Sequence, residues 1–301
     1  MADLADLFPG FQSHWIDAAG GRIFARSGGS GPPLVLVHGY PQSHVMWHRL
    51  APKLAEHFQV VALDLRGYGW SDVPRADKAH TVYSKREMAK DVIAVMEALG
   101  HVHFAYMGHD RGARVGYRLA LDHPGRLAKL VLLDIVPTLA MWDSMDSKRA
   151  MRAYHWLFLA QPEPLPERLI GPSACFYLEH TLAGWTASRT LEAFDPAALA
   201  HYAAFFDDPS RIHACCEDYR AGASTDLGCD QADRDAGKTL GCPTHVVWGE
   251  TGIAATGAGP LDAWRATFAP NASGHPVKAG HFVAEENPQG TLDAVLPFLT
   301  T

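Results

Sequence analysis

The sequence predicts an α/β fold in which a mostly parallel, doubly wound sheet carries an inserted helical cap. Three observations predict it: short apolar runs alternate with amphipathic stretches over residues 21–135, the alternation is lost over residues 137–240, and it resumes at residue 243. Near-continuous apolar strands separated by helices are typical of a parallel sheet with helices on both faces. We therefore expect residues 1–136 and 241–301 to form the core and residues 137–240 to form the cap.

The predicted elements follow from apolar periodicity and from start and stop signals. A helix over residues 84–99 begins with Ser84 and Glu87 at capping-box spacing, and Gly100 stops it. A second helix, over residues 111–121, directly follows a strand. The predicted strands are residues 21–26, 33–37, 60–65, 104–107, 129–135, 243–248 and 276–279. The other predicted helices are residues 147–159, 192–206 and 211–221 in the cap, and 261–268 and 289–299 in the core.

Composition and charge exclude several classes of protein. Of 301 residues, 48% are hydrophobic, which suffices for a buried core, and the net charge of -7 argues against nucleic acid or an anionic membrane as a partner. The five cysteines form no C-x-x-C pair, so neither a disulfide framework nor a zinc site is expected. We find no signal-peptide pattern at residues 1–8 and no membrane-length apolar run, and we expect a cytoplasmic protein. We find no glycine-rich phosphate loop, and we expect neither a metal nor an organic cofactor.

The main chemical signal is Gly-His-Asp-Arg-Gly at residues 108–112, between a strand and a helix. It matches the G-x-S-x-G nucleophile elbow, with Asp110 in the place of the serine. Glycines suit this tight turn, which pushes the central side chain out at the carboxyl ends of the strands. By itself Asp110 could equally cap the following helix.

Two further motifs favour the catalytic interpretation of Asp110. His-Gly-Tyr-Pro at residues 38–41 follows an early strand, where α/β-hydrolases keep an oxyanion-hole amide, so the backbone amides of Tyr40 and Arg111 are the predicted oxyanion hole. Gly280-His281 follows the last strand, where the catalytic histidine of these enzymes lies.

Over its whole length the chain resembles the α/β-hydrolase branch that holds epoxide hydrolases and dehalogenases, notably at residues 64–72 and 280–288. Within that branch it is most similar to fluoroacetate dehalogenases. The similarity lies in His-Asp-Arg-Gly-Ala-Arg (109–114), Leu-Asp-Ile (133–135), Tyr-His-Trp (154–156) and Tyr219. The resemblance implies an α/β-hydrolase fold, hydrolysis of short 2-haloacids such as fluoroacetate to the 2-hydroxy acid and halide, and a homodimer.

The acid that orients His281 has two candidates. Many relatives place it after the strand at residues 243–248, but here Gly252 holds that position, and Glu250 is the nearby carboxylate. Asp134, at the end of the preceding core strand, matches the fluoroacetate dehalogenases, and we favour it. Its role would be to hold the imidazole in one tautomer and stabilise its cation.

An aspartate nucleophile suits attack on an sp3 carbon that carries a leaving group. Asp110 would form an alkyl ester, and water activated by His281 would attack the carbonyl of that ester. Arg111 and Arg114 lie three residues apart on one side of a helix N-terminus, where cations oppose the helix dipole. We interpret them as a clamp for a substrate carboxylate; the alternative is that they bind acidic neighbours, such as Asp64, Asp72 or Asp134.

The resemblance also implies a halide pocket in the cap, formed by His155, Trp156 and Tyr219. Trp185 would shape this pocket and Met141 would wall it. Aromatic residues in a helical cap are more commonly packing residues, which is the alternative.

Two other functions remain open. An epoxide hydrolase would use the same nucleophile with Tyr219 and either Tyr154 or His155 as cap acids, but a neutral epoxide leaves both arginines without a role. A non-catalytic, hydrolase-like binding protein would not need both Asp110 and His281.

Overall fold

The computed structural model describes residues 4–254 and 259–301. Residues 1–3, part of the N-terminal segment interpreted above, lie outside the described residues. Within the described ranges the chain forms an eight-stranded sheet. Its strands are β1 (Gln12–Ala18), β2 (Gly21–Gly28), β3 (Pro33–Val37), β4 (Gln59–Leu63), β5 (Phe104–His109), β6 (Leu127–Leu133), β7 (Thr244–Gly249) and β8 (Ser273–Val277).

The strand order is β1-β2-β4-β3-β5-β6-β7-β8, and the pairings from β4 through β8 are all parallel. Only the pairs β1–β2 and β2–β4 in this sheet are antiparallel, so the predicted mostly parallel α/β sheet is confirmed. Apolar periodicity does not predict β1, because this edge strand alternates between exposed and half-buried positions and has no apolar run.

Helices connect the parallel strands and fill the interval between β6 and β7. In chain order they are α1 (Ala51–Leu54), α2 (Lys85–Ala98), α3 (Asp110–Asp122), α4 (Thr138–Asp143), α5 (Ser147–Arg152), α6 (Tyr154–Leu159), α7 (Leu165–Ile170), α8 (Ala174–Trp185), α9 (Pro196–Phe206), α10 (Pro209–Ala223), α11 (Thr225–Asp235), α12 (Pro260–Thr267), α13 (Val283–Glu286) and α14 (Pro288–Thr300). Short 3-10 helices span His44–Trp47 and Gly171–Ser173. No helix in the described part of the chain has the length and hydropathy to cross a membrane.

Local signals predict some helix ends and miss others. The Ser84 hydroxyl accepts a hydrogen bond from the Glu87 amide at 3.3 Å, which confirms the predicted start of α2. The single helix predicted over residues 147–159 is wrong, because Ala153 has φ -107° and ψ 34° and separates α5 from α6. The strand predicted at residues 276–279 corresponds to β8 (Ser273–Val277), which begins and ends earlier in the chain.

Buried ion pairs fasten the inserted helices α4–α11 to the core. Arg118 on α3 donates to Asp230 at 3.0 Å and to Asp233 at 2.5 Å, both on α11. Strand β5 is buried along its whole length, and α3 is buried from its first residue. The start of α3 therefore lies where the sheet and the inserted helices meet.

Candidate active site

The turn from β5 to α3 places Asp110 under backbone constraint. Asp110 has a φ of 46°, in the left-handed region that few residues other than glycine adopt. A Cβ on Gly108 would lie 2.7 Å from the Ala113 amide, and one on Gly112 would lie 2.3 Å from the carbonyl oxygen of His38. Only glycine fits at either position. The close packing of this turn therefore explains both the glycines in the sequence and the strained backbone at Asp110.

The loop after β3 presents a backbone amide to the Asp110 carboxylate. The Tyr40 amide donates to Asp110 Oδ1 at 3.2 Å. A Cβ on Gly39 would lie 2.5 Å from the Asp110 Cβ and 3.0 Å from the Arg111 amide nitrogen, so the two loops approach closely. This arrangement places the amides of Tyr40 and Arg111, the predicted oxyanion hole, beside Asp110.

His281 binds Asp134, and Glu250 is not its partner. His281 Nδ1 lies 2.5 Å from Asp134 Oδ2, while Glu250 is exposed. The Gly249 amide donates to the other Asp134 oxygen at 3.1 Å. A Cβ on Gly252 would lie 2.2 Å from Asp134 Oδ1, so the Asp134 carboxylate fills the space that a side chain at position 252 would need.

The charges of Asp110 and His281 shift each other's pKa. Burial acts to lower the pKa of His281, but the hydrogen bond and charge of Asp134, with the charge of Asp110, raise it above its ordinary value. Burial acts to raise the pKa of Asp110, but the charges of His281 and Arg111 lower it on balance. The site therefore favours an ionised Asp110 beside a basic imidazole.

The Arg111 guanidinium is held by a carboxylate that the sequence did not single out. Its Nε donates to Asp218 Oδ1 at 2.9 Å, and its Nη2 donates to the same oxygen at 2.5 Å and to Asp218 O at 2.6 Å. An acidic partner for Arg111 was the alternative considered above, but that partner is Asp218 on α10 and not Asp64, Asp72 or Asp134. Burial acts to lower the pKa of Arg111, and the charge of Asp218 outweighs it, so Arg111 stays cationic.

Both arginines have donor nitrogens that their hydrogen bonds to the protein do not use. Among the described residues, Arg111 Nη1 and Arg114 Nε are buried and have no hydrogen-bond partner. Arg114 Nη1 donates to Val136 O at 3.1 Å and to Thr138 Oγ1 at 2.9 Å. The guanidinium carbons of Arg111 and Arg114 lie 5.6 and 4.6 Å from the centroid of the Trp156 ring, so both cations flank one indole.

The three predicted halide-binding residues contact one another. The Tyr219 ring lies 5.6 Å from that of His155 and 6.1 Å from that of Trp156, between centroids. Among the described residues, His155 Nδ1 and the Tyr219 hydroxyl are buried without a hydrogen-bond partner. Burial lowers the pKa of His155 to about 3. Burial is also the largest cause that raises the pKa of Tyr219 well above its ordinary value, and the charge of Asp110 is the second. Both side chains are therefore neutral at neutral pH, and each retains a proton to donate.

A small cavity lies beside the nucleophile. It has a volume of about 10 Å³, roughly the space that one water molecule needs. Its walls include Asp110, the His281–Asp134 pair, Arg114 and three residues of the inserted helices, namely Met141, His155 and Trp156. Arg111 and Tyr219 lie behind this wall, and Trp185 lies beyond His155, with ring centroids 4.2 Å apart.

Sequence reasoning missed residues that hold the site in place. Glu286 accepts hydrogen bonds from the amides of Gly280 and Ala187, both at 2.8 Å, and so joins the His281 loop to the segment that follows α8. His109, next to the nucleophile, supports the same loop, since its Nε2 lies 2.9 Å from the His281 carbonyl oxygen. Asp218 likewise holds the Arg111 guanidinium in place. Its position next to Tyr219, a predicted halide-binding residue, is the sequence feature that could have indicated it.

Comparisons with known proteins identify the family of this chain. The family described as alpha/beta hydrolase fold matches residues 32–288. A fluoroacetate dehalogenase of Burkholderia sp is 40% identical over 98% of this chain and 95% of its own. A soluble epoxide hydrolase of Corynebacterium sp. (strain C12) is 32% identical over 96% of this chain and 94% of its own. The solved structure of ALR0039 from Nostoc sp PCC 7120 is 48% identical, with a TM-score of 0.92 over 96% of this chain and 98% of that one. The chain belongs to the α/β-hydrolase family, in the branch that includes fluoroacetate dehalogenases and epoxide hydrolases.

Proposed function

We propose that this protein hydrolyses short 2-haloacids such as fluoroacetate to the 2-hydroxy acid and halide. The observation that carries the proposal is the pair of buried guanidiniums, Arg111 and Arg114, beside an ionised Asp110, each with an unpartnered nitrogen. Burying such donors without a partner is unfavourable unless a ligand binds them, and a carboxylate is the ligand that guanidinium geometry suits best. Similarity to the Burkholderia fluoroacetate dehalogenase supports the same substrate class.

The reaction has two steps. Asp110 attacks the α-carbon, the carbon–halogen bond breaks, and the acid is left as an alkyl ester of Asp110 while halide departs. His281 then takes a proton from water, which attacks the carbonyl carbon of that ester. The amides of Tyr40 and Arg111 hold the oxyanion. Its collapse breaks the ester C–O bond, the departing alkoxide takes the proton back from His281 to give the hydroxy acid, and Asp110 becomes a carboxylate again by losing its proton to solvent.

The cap residues supply donors for the departing halide. Fluoride is a poor leaving group but a strong hydrogen-bond acceptor, so its departure needs several donors aimed at one point. The neutral His155 imidazole and the Tyr219 phenol have unpartnered polar atoms, and the Trp156 indole contacts Tyr219. We assign these three residues to the halide.

Halide release tests the function directly. Fluoroacetate and chloroacetate are supplied separately, free halide is read with an ion-selective electrode, and a terminal epoxide is assayed for diol in parallel. Fluoride release supports the full proposal, and chloride release alone supports the carboxylate clamp but not the fluoride pocket.

Epoxide hydrolysis is the second candidate, favoured by the 32% identity to the Corynebacterium epoxide hydrolase. The Tyr219 hydroxyl could protonate an opening epoxide, since it is buried, protonated and unpartnered. Diol formation without halide release would establish this function and would leave Arg111 and Arg114 without a substrate role.

We expect acid pH to stop the second step before the first. Ester hydrolysis needs neutral His281, whose pKa is raised above its ordinary value, so it should slow as the pH falls through that raised pKa. Ester formation needs only ionised Asp110, whose pKa is lowered, so it should continue at such pH. Rapid-quench mass spectrometry should therefore find more esterified enzyme at about pH 5 than at about pH 8. Esterification removes the charge of Asp110, one cause of the raised pKa, so the midpoint should lie lower in the ester than in the free enzyme. Parallel slowing of both steps would contradict this assignment of the base.

Changing Tyr219 to Phe should discriminate between the two halides. The variant loses one O–H donor but keeps the ring that stacks 4.2 Å from the Arg111 guanidinium carbon. We expect the rate with fluoroacetate to fall roughly 10- to 100-fold, because fluoride depends more on hydrogen bonding as it departs, and the rate with chloroacetate to fall far less. Chloroacetate is thus the control within one variant, and equal losses would remove Tyr219 from the halide pocket.

A further inference from the structure

A second, larger cavity opens on the inserted helices and is lined by basic side chains. It has a volume of about 1080 Å³. Lys148, Arg149, Arg152 and Arg189 line it, and Asp146 is the acidic side chain among the described residues of its wall. Acidic residues outnumber basic ones in the chain, 33 to 26, so this local excess of positive charge runs against the charge of the whole protein. We call this cavity the basic vestibule.

Residues that line the basic vestibule contact residues that line the catalytic cavity. Trp185 lines the vestibule, and the centroid of its ring lies 4.2 Å from that of His155 and 5.4 Å from that of His281. Arg152, on the vestibule side, donates through Nη2 to Gly252 O at 2.6 Å. The next residue, Ile253, lines the catalytic cavity. One layer of side chains and one loop therefore separate the basic vestibule from the nucleophile.

We propose that the basic vestibule gathers monoanionic substrates from solution and passes them to Asp110. The inference rests on the proposed function, since it assigns an anion to the same site, and it adds where that anion is first attracted. In water a positive unit charge about 10 Å away raises the local concentration of a monoanion about twofold, and a negative one lowers it by the same factor. A concave cluster of one sign strengthens this effect and raises association rates. An acidic protein would otherwise repel such a substrate.

Charge reversal at the mouth tests the proposal. Lys148 and Arg189 are exposed vestibule residues outside the catalytic machinery. In the Lys148→Glu/Arg189→Glu double variant, kcat/KM for chloroacetate at low ionic strength should fall about three- to tenfold, while kcat stays unchanged. Raising the ionic strength should lower the wild-type value and close the gap, because the Debye length shrinks from about 30 Å at 0.01 M to about 8 Å at 0.15 M.

Two controls separate attraction from structural damage. Chloroacetamide carries the same chlorine on the same type of carbon but is neutral, so its kcat/KM should not change in the double variant. Lys78→Glu alters an exposed lysine that does not line the basic vestibule, and should leave both substrates unaffected. Equal losses for chloroacetate and chloroacetamide, or no loss for chloroacetate, would overturn the proposal.

A measurement without turnover distinguishes this inference from the proposed function. Because Trp185 borders the basic vestibule, iodide should quench its fluorescence more strongly in the wild type than in the double variant. Acrylamide, a neutral quencher, should act equally on both. If the wild type releases no halide but the iodide difference is present, the proposed function fails and the vestibule stands. If halide is released but iodide quenching is equal in the two proteins, the vestibule fails alone.

Discussion

Changing His281 to Asn should stop the reaction after halide leaves and trap the acid on Asp110 as an ester. Asp110 remains ionised and can still attack, but no group is left to take the proton from water. The imidazole is the base because it is buried beside Asp110 and bound by Asp134 at 2.5 Å. Loss of such a base lowers steady-state turnover by at least about 10³- to 10⁴-fold.

Mass spectrometry measures the trapped ester. After incubation with fluoroacetate or chloroacetate, the His281→Asn protein should gain about 58 Da, the CH₂COO unit, on the peptide that carries Asp110. One equivalent of halide per site should appear as a burst. The matched control is Asp110→Asn, which should give neither adduct nor burst. An adduct on another residue, or multiple turnovers without an adduct, would contradict the proposed mechanism.

The second large effect is expected at Asp218, which binds Arg111 without touching the nucleophile. The Asp218 carboxylate is fully buried between Arg111 and Lys85 and also accepts from Tyr68 Oη at 2.9 Å. Burial acts to raise the pKa of Asp218, but the two cations lower it to about 2, so the group is ionised. Asp218→Asn leaves two buried cations with less compensation and should lower the free energy of unfolding by about 3–5 kcal/mol, measured by urea titration.

The same variant should weaken substrate binding, because Asp218 sets the direction of the Arg111 guanidinium. With both donors to Asp218 lost or weakened, the Nη1 proposed to bind the substrate carboxylate is no longer fixed, and we expect KM for chloroacetate to rise about tenfold. Asp226→Asn is the matched control. Asp226 Oδ2 lies 3.5 Å from Lys85 Nζ, its Oδ1 accepts from the Lys85 amide at 2.8 Å, and no hydrogen bond or ion pair joins it to Arg111 in the described structure. An equal rise in KM for Asp226→Asn would reduce Asp218 to a purely structural role.

Local sequence patterns predicted the parts of this protein that are formed by neighbouring residues. The capping box at Ser84, the elbow at residues 108–112 and the loop at residues 38–41 each depend on a few consecutive residues. The elbow and the loop also contain glycines at positions where a side chain would clash. Such patterns suffice for the fold class and for the candidate nucleophile. They fail at β1, an edge strand without an apolar run, and at Ala153, where one predicted helix is two.

Tertiary structure decided the pairings between distant residues. His281 binds Asp134, which lies 147 positions earlier, and Arg111 binds Asp218, 107 positions later. Resemblance favoured Asp134 over Glu250, but no periodicity in the sequence distinguishes them, and none indicates Asp218. The reason is physical: these contacts form only when the strand ends converge and the chain brings Asp218 of α10 to Arg111 of α3. A buried charge is stabilised by whichever opposite charge the fold brings within hydrogen-bonding distance.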